Sequence, residues 1–211
     1  MRLSKGVAYS VAFLAMAGGG WLLWRRQKAN LPCPANLSFL LENPFMNRFA
    51  GAETLLDRAG VVAGMRVLDA GCGPGRITLP AARRVGPTGD VVALDIQEAM
   101  LRRVRQKLDA QGVTNVRPLH AALGDGQIEA EAFDRAFLVT VLGEIPDKVA
   151  ALREIYAALK PGGLLSITEV LPDPDFQTPD AVRRPAEAAG FREVRLMGGF
   201  PAFTMNVVKP E

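Results

Sequence analysis

Asp69-Ala70-Gly71-Cys72-Gly73-Pro74-Gly75 sets an acid and then glycines at alternate positions between a short apolar run, Val67-Leu68, and a helical pattern that starts near Arg76. Glycines let the backbone turn sharply and approach a ligand with no Cβ in the way. The helix start behind them presents backbone N–H groups, and Asp69 adds an acceptor. A strand, a bare turn and a helix in that order make a nucleotide-type site. A second acid, Asp95, ends the apolar run 91–94, at about the 20-residue spacing that lets a carboxylate accept from ribose hydroxyls. Together these residues point to a ribose-bearing ligand. A dinucleotide loop, Gly-x-Gly-x-x-Gly, would need glycine where Arg76 stands. A purely structural turn remains the plainer alternative. With one histidine and two cysteines, no metal site is expected.

Residues 69–75 resemble motif I of the class I S-adenosylmethionine-dependent methyltransferases, acid-x-Gly-x-Gly-x-Gly, and the match is complete. Phe133-Asp134 and Leu159-Lys160-Pro161-Gly162-Gly163 are similar to later motifs of that family, in its small-molecule, ubiquinone/menaquinone-methyltransferase-like form. The resemblance covers about residues 50–210 and implies S-adenosylmethionine as cofactor. It assigns Asp69, Gly71, Gly73 and Gly75 to the methionine part and the turn, Asp95 to the ribose and Ile96 to the adenine. Ala70, Cys72, Met100 and Val139 complete the implied cofactor lining, and residues 138–142 border the methyl. Many relatives carry a histidine pair after the fourth strand. This chain has Leu142-Gly143-Glu144-Ile145-Pro146-Asp147 there, so no histidine base carries over and Glu144 is the catalytic candidate. An adenine-reading acid is expected near Ala122, and the nearest acid is Asp125. His120, on an apolar strand, reads as a packed core residue.

To position these groups, the pattern needs strands at 66–70, 91–95, 116–121, 133–142, 164–168, 191–196 and 203–209. Helices are expected at 53–59, 76–85, from 97 or 98 onward, at 149–159 and at 180–189. Residues 160–163 read as a turn in which proline stops a helix and the glycines cap it. The third helix puts Met100, Leu101, Val104 and Leu108 on one face. The fold class implied by the resemblance is α/β: a Rossmann-like seven-stranded sheet, mostly parallel, with helices on both faces and the last strand antiparallel.

The chain has 211 residues, 49% apolar and 22% charged, enough for one α/β domain and an appendage. Net charge is +3, with no basic stripe interleaved with aromatics, so no nucleic-acid partner is expected. Residues 6–24 are uncharged, flanked by Arg2, Lys5, Arg25 and Arg26, and end at Trp21 and Trp24. As a helix they would span about 28 Å. Residues 1–28 therefore read as a hydrophobic membrane-anchor helix, single-pass, with the catalytic domain cytoplasmic; a cleaved signal peptide is the alternative. Residues 29–50 read as linker and cap, and 51–211 as the methyltransferase domain. An anchor beside an apolar cap implies a small lipophilic acceptor such as a lipid headgroup or a quinone. The alternatives are a dinucleotide-dependent oxidoreductase or epimerase, and a cofactor-binding protein without catalysis.

Overall fold

Val67 to Ala70 have almost no solvent exposure and no polar alternation, the signature of a parallel strand covered on both faces. The computed structural model, which describes residues 50–171 and 173–211, puts that strand in the middle of a sheet. In chain order the elements are α1 (Ala52–Arg58), β1 (Arg66–Ala70), α2 (Thr78–Val85), β2 (Asp90–Asp95), α3 (Glu98–Gln111), β3 (Val116–His120), β4 (Phe133–Val139), α4 (Lys148–Ala158), β5 (Leu159–Val170), α5 (Pro179–Ala188), β6 (Arg192–Gly198) and β7 (Ala202–Val208). The strand order is β3-β2-β1-β4-β5-β7-β6. β1 to β5 are mutually parallel, and β7 runs antiparallel to both β5 and β6. The expected seven-stranded α/β sheet is therefore present, with one reversed strand formed by the last segment of chain.

Alternate residues of each strand feed two cores. Val67, Val91 and Phe137 pack with Leu55 and Leu56 of α1 and with Ala82 and Val85 of α2. Leu68, Val92 and Ile167 pack with Leu152 and Ile155 of α4 and Val182 of α5. Leu101, Val104 and Leu108 of α3 meet Ala93 and Leu79 in a smaller cluster. Asp134 ties down the end of the sheet away from the site. Its Oδ2 accepts from the Arg66 backbone N–H at 2.8 Å and its Oδ1 from Lys160 Nζ at 2.7 Å. That gives the Phe133-Asp134 pair a structural role at the start of β4.

Three sequence expectations need correction. Residues 160–163 are not a helix-capping turn. α4 ends at Ala158, and the chain passes directly into β5. Gly162 N–H donates to the Lys209 carbonyl and Lys209 N–H to the Gly163 carbonyl, each at 2.9 Å, so the glycine pair is fastened to the C-terminal strand. β4 stops at Val139 rather than Leu142, because Thr140 turns to φ +56°, a left-handed conformation that breaks a strand. The single-pass anchor with a cytoplasmic domain is also overturned: no helix among the described residues is long and apolar enough to cross a membrane. Residues 6–24 and the cap at 29–49, on which that expectation rested, lie outside the described residues.

Candidate functional site

The chain adds β2 and β3 on one side of β1, then returns to place β4 and β5 on the other. The connections from β1 and β4 therefore diverge at the carboxyl end of the sheet and leave a crevice there. The glycine loop lies on that crevice. Gly71, Gly73 and Gly75 all have positive φ, at 76°, 52° and 87°. Two of the three are filled in by protein. A Cβ on Gly71 would stand 2.5 Å from Val141 Cγ2, and one on Gly75 would stand 2.8 Å from Leu79 Cδ1. Gly73 differs: among the described residues nothing lies within 4 Å of where its Cβ would be.

The loop is held by its own N–H groups. Gly71 and Cys72 donate to the Leu94 carbonyl at 2.8 and 2.9 Å, and Gly75 donates to the Cys72 carbonyl at 3.0 Å. Gly73 N–H donates to Asp95 Oδ2 at 2.9 Å, while Asp95 Oδ1 accepts from Gln97 N–H at 2.8 Å. The donors expected to face a ligand are thus spent on the protein at these four positions. What the loop offers is close backbone approach at Gly73, beside a carboxylate it already touches. Each Asp95 oxygen keeps a second lone pair for a hydroxyl.

Asp69 and Asp95 do come together around this loop, but in different roles. Asp69 is 3% exposed, and its Oδ2 accepts from the Thr78 hydroxyl at 2.6 Å. Burial pushes its carboxyl up to about 6, against the pull of Thr78 and Arg76, and the Asp95 charge adds to the rise. Asp69 therefore braces the loop against the start of α2. Burial also raises Asp95, opposed by the N–H groups of Gln97 and Gly73. Cys72 is buried as a free thiol and is raised well above its ordinary value, again chiefly by burial. It is a packing residue and not a reactive thiolate.

Ile96 is 54% exposed next to Asp95, open to a planar ligand, and Val139 is half-buried at the end of β4. Ala70 and Met100 are buried, Met100 in the core side of α3, and their side chains offer a ligand almost no surface. Asp125 lies in an exposed loop whose backbone is drawn toward α4, where Glu154 accepts from the Ile128 N–H at 3.1 Å and also from the Gly124 N–H. Glu144 is half-buried in a single 3-10 turn, Leu142–Glu144, on the β4 side of the crevice. His120 departs from expectation. It is exposed at the end of β3, with Nε2 2.9 Å from the Ile96 carbonyl and Nδ1 4.0 Å from a Glu98 oxygen. The strand ends there, so its ring leaves the sheet and steadies the Asp95–Ile96 corner.

Sequence reasoning missed Thr78, Glu169 and the contact of Val141 with Gly71. A hydroxyl at the start of the helix after motif I is a weak signal for Thr78. Val141 lies in the 138–142 stretch expected to border the methyl, but its contact with Gly71 gave no signal, because it joins two connections far apart in sequence. Glu169 lay at the end of an apolar strand, a position that was visible but unused.

Known proteins resemble this chain in sequence and in fold. Residues 67–163 match a family model for a methyltransferase domain. The chain is 37% identical over 153 residues to a ubiquinone/menaquinone biosynthesis C-methyltransferase of Idiomarina loihiensis, covering 69% of this chain and 61% of that one. It is 32% identical over 120 residues to a demethylmenaquinone methyltransferase of Geobacillus kaustophilus, covering 57% and 51%. The matches thus span only between about half and two thirds of these relatives' own length. Among solved structures, an Aquifex aeolicus SAM-dependent methyltransferase superposes with TM-score 0.78 at 25% identity, over 84% of this chain and 99% of that one. Phosphoethanolamine N-methyltransferase 2 of Haemonchus contortus superposes with TM-score 0.67 at 18% identity, over 76% and 52%, a likeness of fold alone.

Proposed function

Starting from an S-adenosylmethionine-dependent methyltransferase domain over residues 67–163, we propose that the whole chain moves the methyl of S-adenosylmethionine to a small hydrophobic, quinone-type acceptor, with residues 51–211 as its catalytic domain. The observation that carries the cofactor half is Gly73. Among the described residues its α-carbon faces open space, while its N–H is held by Asp95, so a nucleoside resting on the loop meets bare backbone and finds a ribose-binding carboxylate beside it. The methionine part then lies over Gly71–Gly75 and the adenine over Ile96. The sulfonium methyl points toward Val139 and the turn that carries Glu144.

The quinone half rests on the names of the sequence relatives, a ubiquinone/menaquinone biosynthesis C-methyltransferase and a demethylmenaquinone methyltransferase. For such an acceptor in its reduced, dihydroxy form, a ring carbon supplies the electron pair of the new carbon–carbon bond. The methyl–sulfur bond breaks, S-adenosylhomocysteine departs as a neutral thioether, and the ring carbon loses its proton. The protein's part is mainly to align nucleophile, methyl and sulfur, which is worth on the order of 7–11 kcal/mol. Glu144, in the turn after β4, is the candidate proton acceptor for that step.

The test has two arms. Calorimetric titration with S-adenosylmethionine and with NAD separates a methyltransferase from a dinucleotide enzyme. Incubation of the protein with methyl-labelled cofactor and a reduced short-chain naphthoquinone then reads methyl incorporation by mass spectrometry. Tight binding of NAD without S-adenosylmethionine refutes the cofactor reading, and cofactor binding without label in the quinol refutes the acceptor reading.

A further inference from the structure

Glu169 is a buried acid that the cofactor site does not use. It is next to last in β5, toward the carboxyl end of the strands as Asp69 is on β1, and is 1% exposed. Its Oε2 accepts from the Gln177 N–H at 3.2 Å, whereas Oε1 is buried and has no hydrogen-bond partner among the described residues. Leaving a buried oxygen unpaired is costly, and such atoms are rare in folded proteins. Leucine or methionine would pack there without that penalty, so an empty carboxyl oxygen at this end of the sheet marks a place where something else binds.

The surroundings tell what kind of group fits. The segment 173–177 covers the carboxyl and leans on the turn that holds Glu144. A Cβ added to Gly143 would stand 2.0 Å from the Asp175 carbonyl oxygen. The same connection, two residues earlier, supplies Val141 under Gly71. Glu169 is thus linked through Gln177, Asp175 and Gly143 to the wall that borders the cofactor loop. The charged groups around it are Asp173 and Asp175 from its own loop and Lys148 from α4. Burial first, and then those two acids, push Glu169 up to about 8, with the Gln177 N–H and Lys148 opposing. At neutral pH it is a protonated carboxyl, able both to donate and to accept a hydrogen bond.

We propose that Glu169 is the specificity-determining residue for the acceptor, and that its free carboxyl oxygen takes a hydroxyl or carbonyl oxygen on the acceptor ring once that ring displaces 173–177 from its seat on Gly143. This rests on the methyl-transfer reading above and adds the polar group that reads the acceptor. A dihydroxy ring matches a group that donates and accepts at once. A purely hydrocarbon acceptor would leave the carboxyl unpaired and is disfavoured, by the asymmetry that lets polar sites reject analogues lacking a hydroxyl.

The experiment uses the full chain, reduced short-chain naphthoquinone as acceptor and S-adenosylmethionine as donor, with Glu169→Gln, Glu169→Leu and Gly143→Ala. Expected for Glu169→Leu is a fall of about 100-fold or more in kcat/KM for the quinol, with cofactor affinity within about two-fold of the parent. Wild-type kcat/KM should decline above pH 8 as the carboxyl ionises. Glu169→Gln should be slower at pH 7 and should lack that decline. Gly143→Ala, which forces the covering segment to shift, should change the quinol KM and leave cofactor affinity alone. Thermal melts confirm that each variant is folded. If Glu169→Leu keeps the parent's quinol KM and the same alkaline decline, the proposal is wrong. If the parent itself fails to bind the cofactor, the methyl-transfer reading has failed instead.

Discussion

Two glycines of one loop should fail in opposite ways when each is changed to alanine. At Gly71 the new Cβ meets Val141 at 2.5 and 2.8 Å, and φ is +76°. A left-handed alanine costs about 1–2 kcal/mol, and overpacking a filled space costs about 1–3 kcal/mol more. Gly71→Ala should therefore lose about 2–5 kcal/mol of folding stability. At Gly73 φ is +52° and the Cβ has open space among the described residues, so only the conformational cost, about 1–2 kcal/mol, applies. Its methyl instead projects where the cofactor is placed, and cofactor affinity should drop about 10-fold or more, which is at least about 1.4 kcal/mol of binding. Urea unfolding reads the first quantity and calorimetric titration with S-adenosylmethionine the second. A third variant sharpens the contrast. Val141→Ala added to Gly71→Ala removes the clashing methyls but not the backbone cost, so about half the lost stability should return, and the coupling appears as a non-additive cycle. If Gly73→Ala binds the cofactor like the parent, the ligand does not rest on that α-carbon. If Val141→Ala restores nothing to Gly71→Ala, the close contact is not what makes Gly71 necessary.

Asp95→Asn keeps one oxygen for a backbone N–H but sets an amide N–H₂ against the other donor. Cofactor affinity should fall about 10- to 100-fold, and unchanged affinity by calorimetry would remove Asp95 from the ribose site. Thr78→Val takes a hydroxyl from the buried Asp69 carboxylate and should cost about 1–3 kcal/mol in urea. Because the Thr78 bond holds the Asp69 pKa down, that loss should be larger above pH 6 than below it; a pH-independent loss contradicts the assignment. Asp69 and Glu169 both hold their protons in the folded state, to about 6 and about 8, against 3.8 and 4.5 ordinarily. The native state therefore binds more protons than the unfolded state between those values, and stability should decline as pH rises from about 4 to about 8. Glu169→Gln should flatten the part above pH 4.5 by on the order of a few kcal/mol, read as denaturation midpoints at pH 5 and 8.5.

Local order along the chain was enough to identify the glycine loop, the two acids and the run of strands and helices. Backbone freedom at glycine and the burial of continuous apolar strands are short-range properties, written in consecutive residues. The sequence alone therefore set an acid, Asp95, about 20 residues beyond a bare turn, the spacing expected of a ribose site, and it located that turn at residues 71–75. Contacts between segments remote in sequence were beyond its reach. That Gly71 is closed by Val141, while Gly73 stays open among the described residues, depends on how the β1 and β4 connections pack. The same holds for Asp69, whose Oδ2 accepts from the Thr78 hydroxyl, and for His120, carried out of the core where β3 ends. The turn expected at 160–163 became strand because Lys209, nearly fifty residues on, supplied hydrogen bonds to its glycines. Glu169 was visible as a letter at the end of a strand, but only the folded chain buried it with one oxygen unpaired. Desolvation and pairing are set by what lies alongside in space, and that neighbourhood exists only once the sheet has formed.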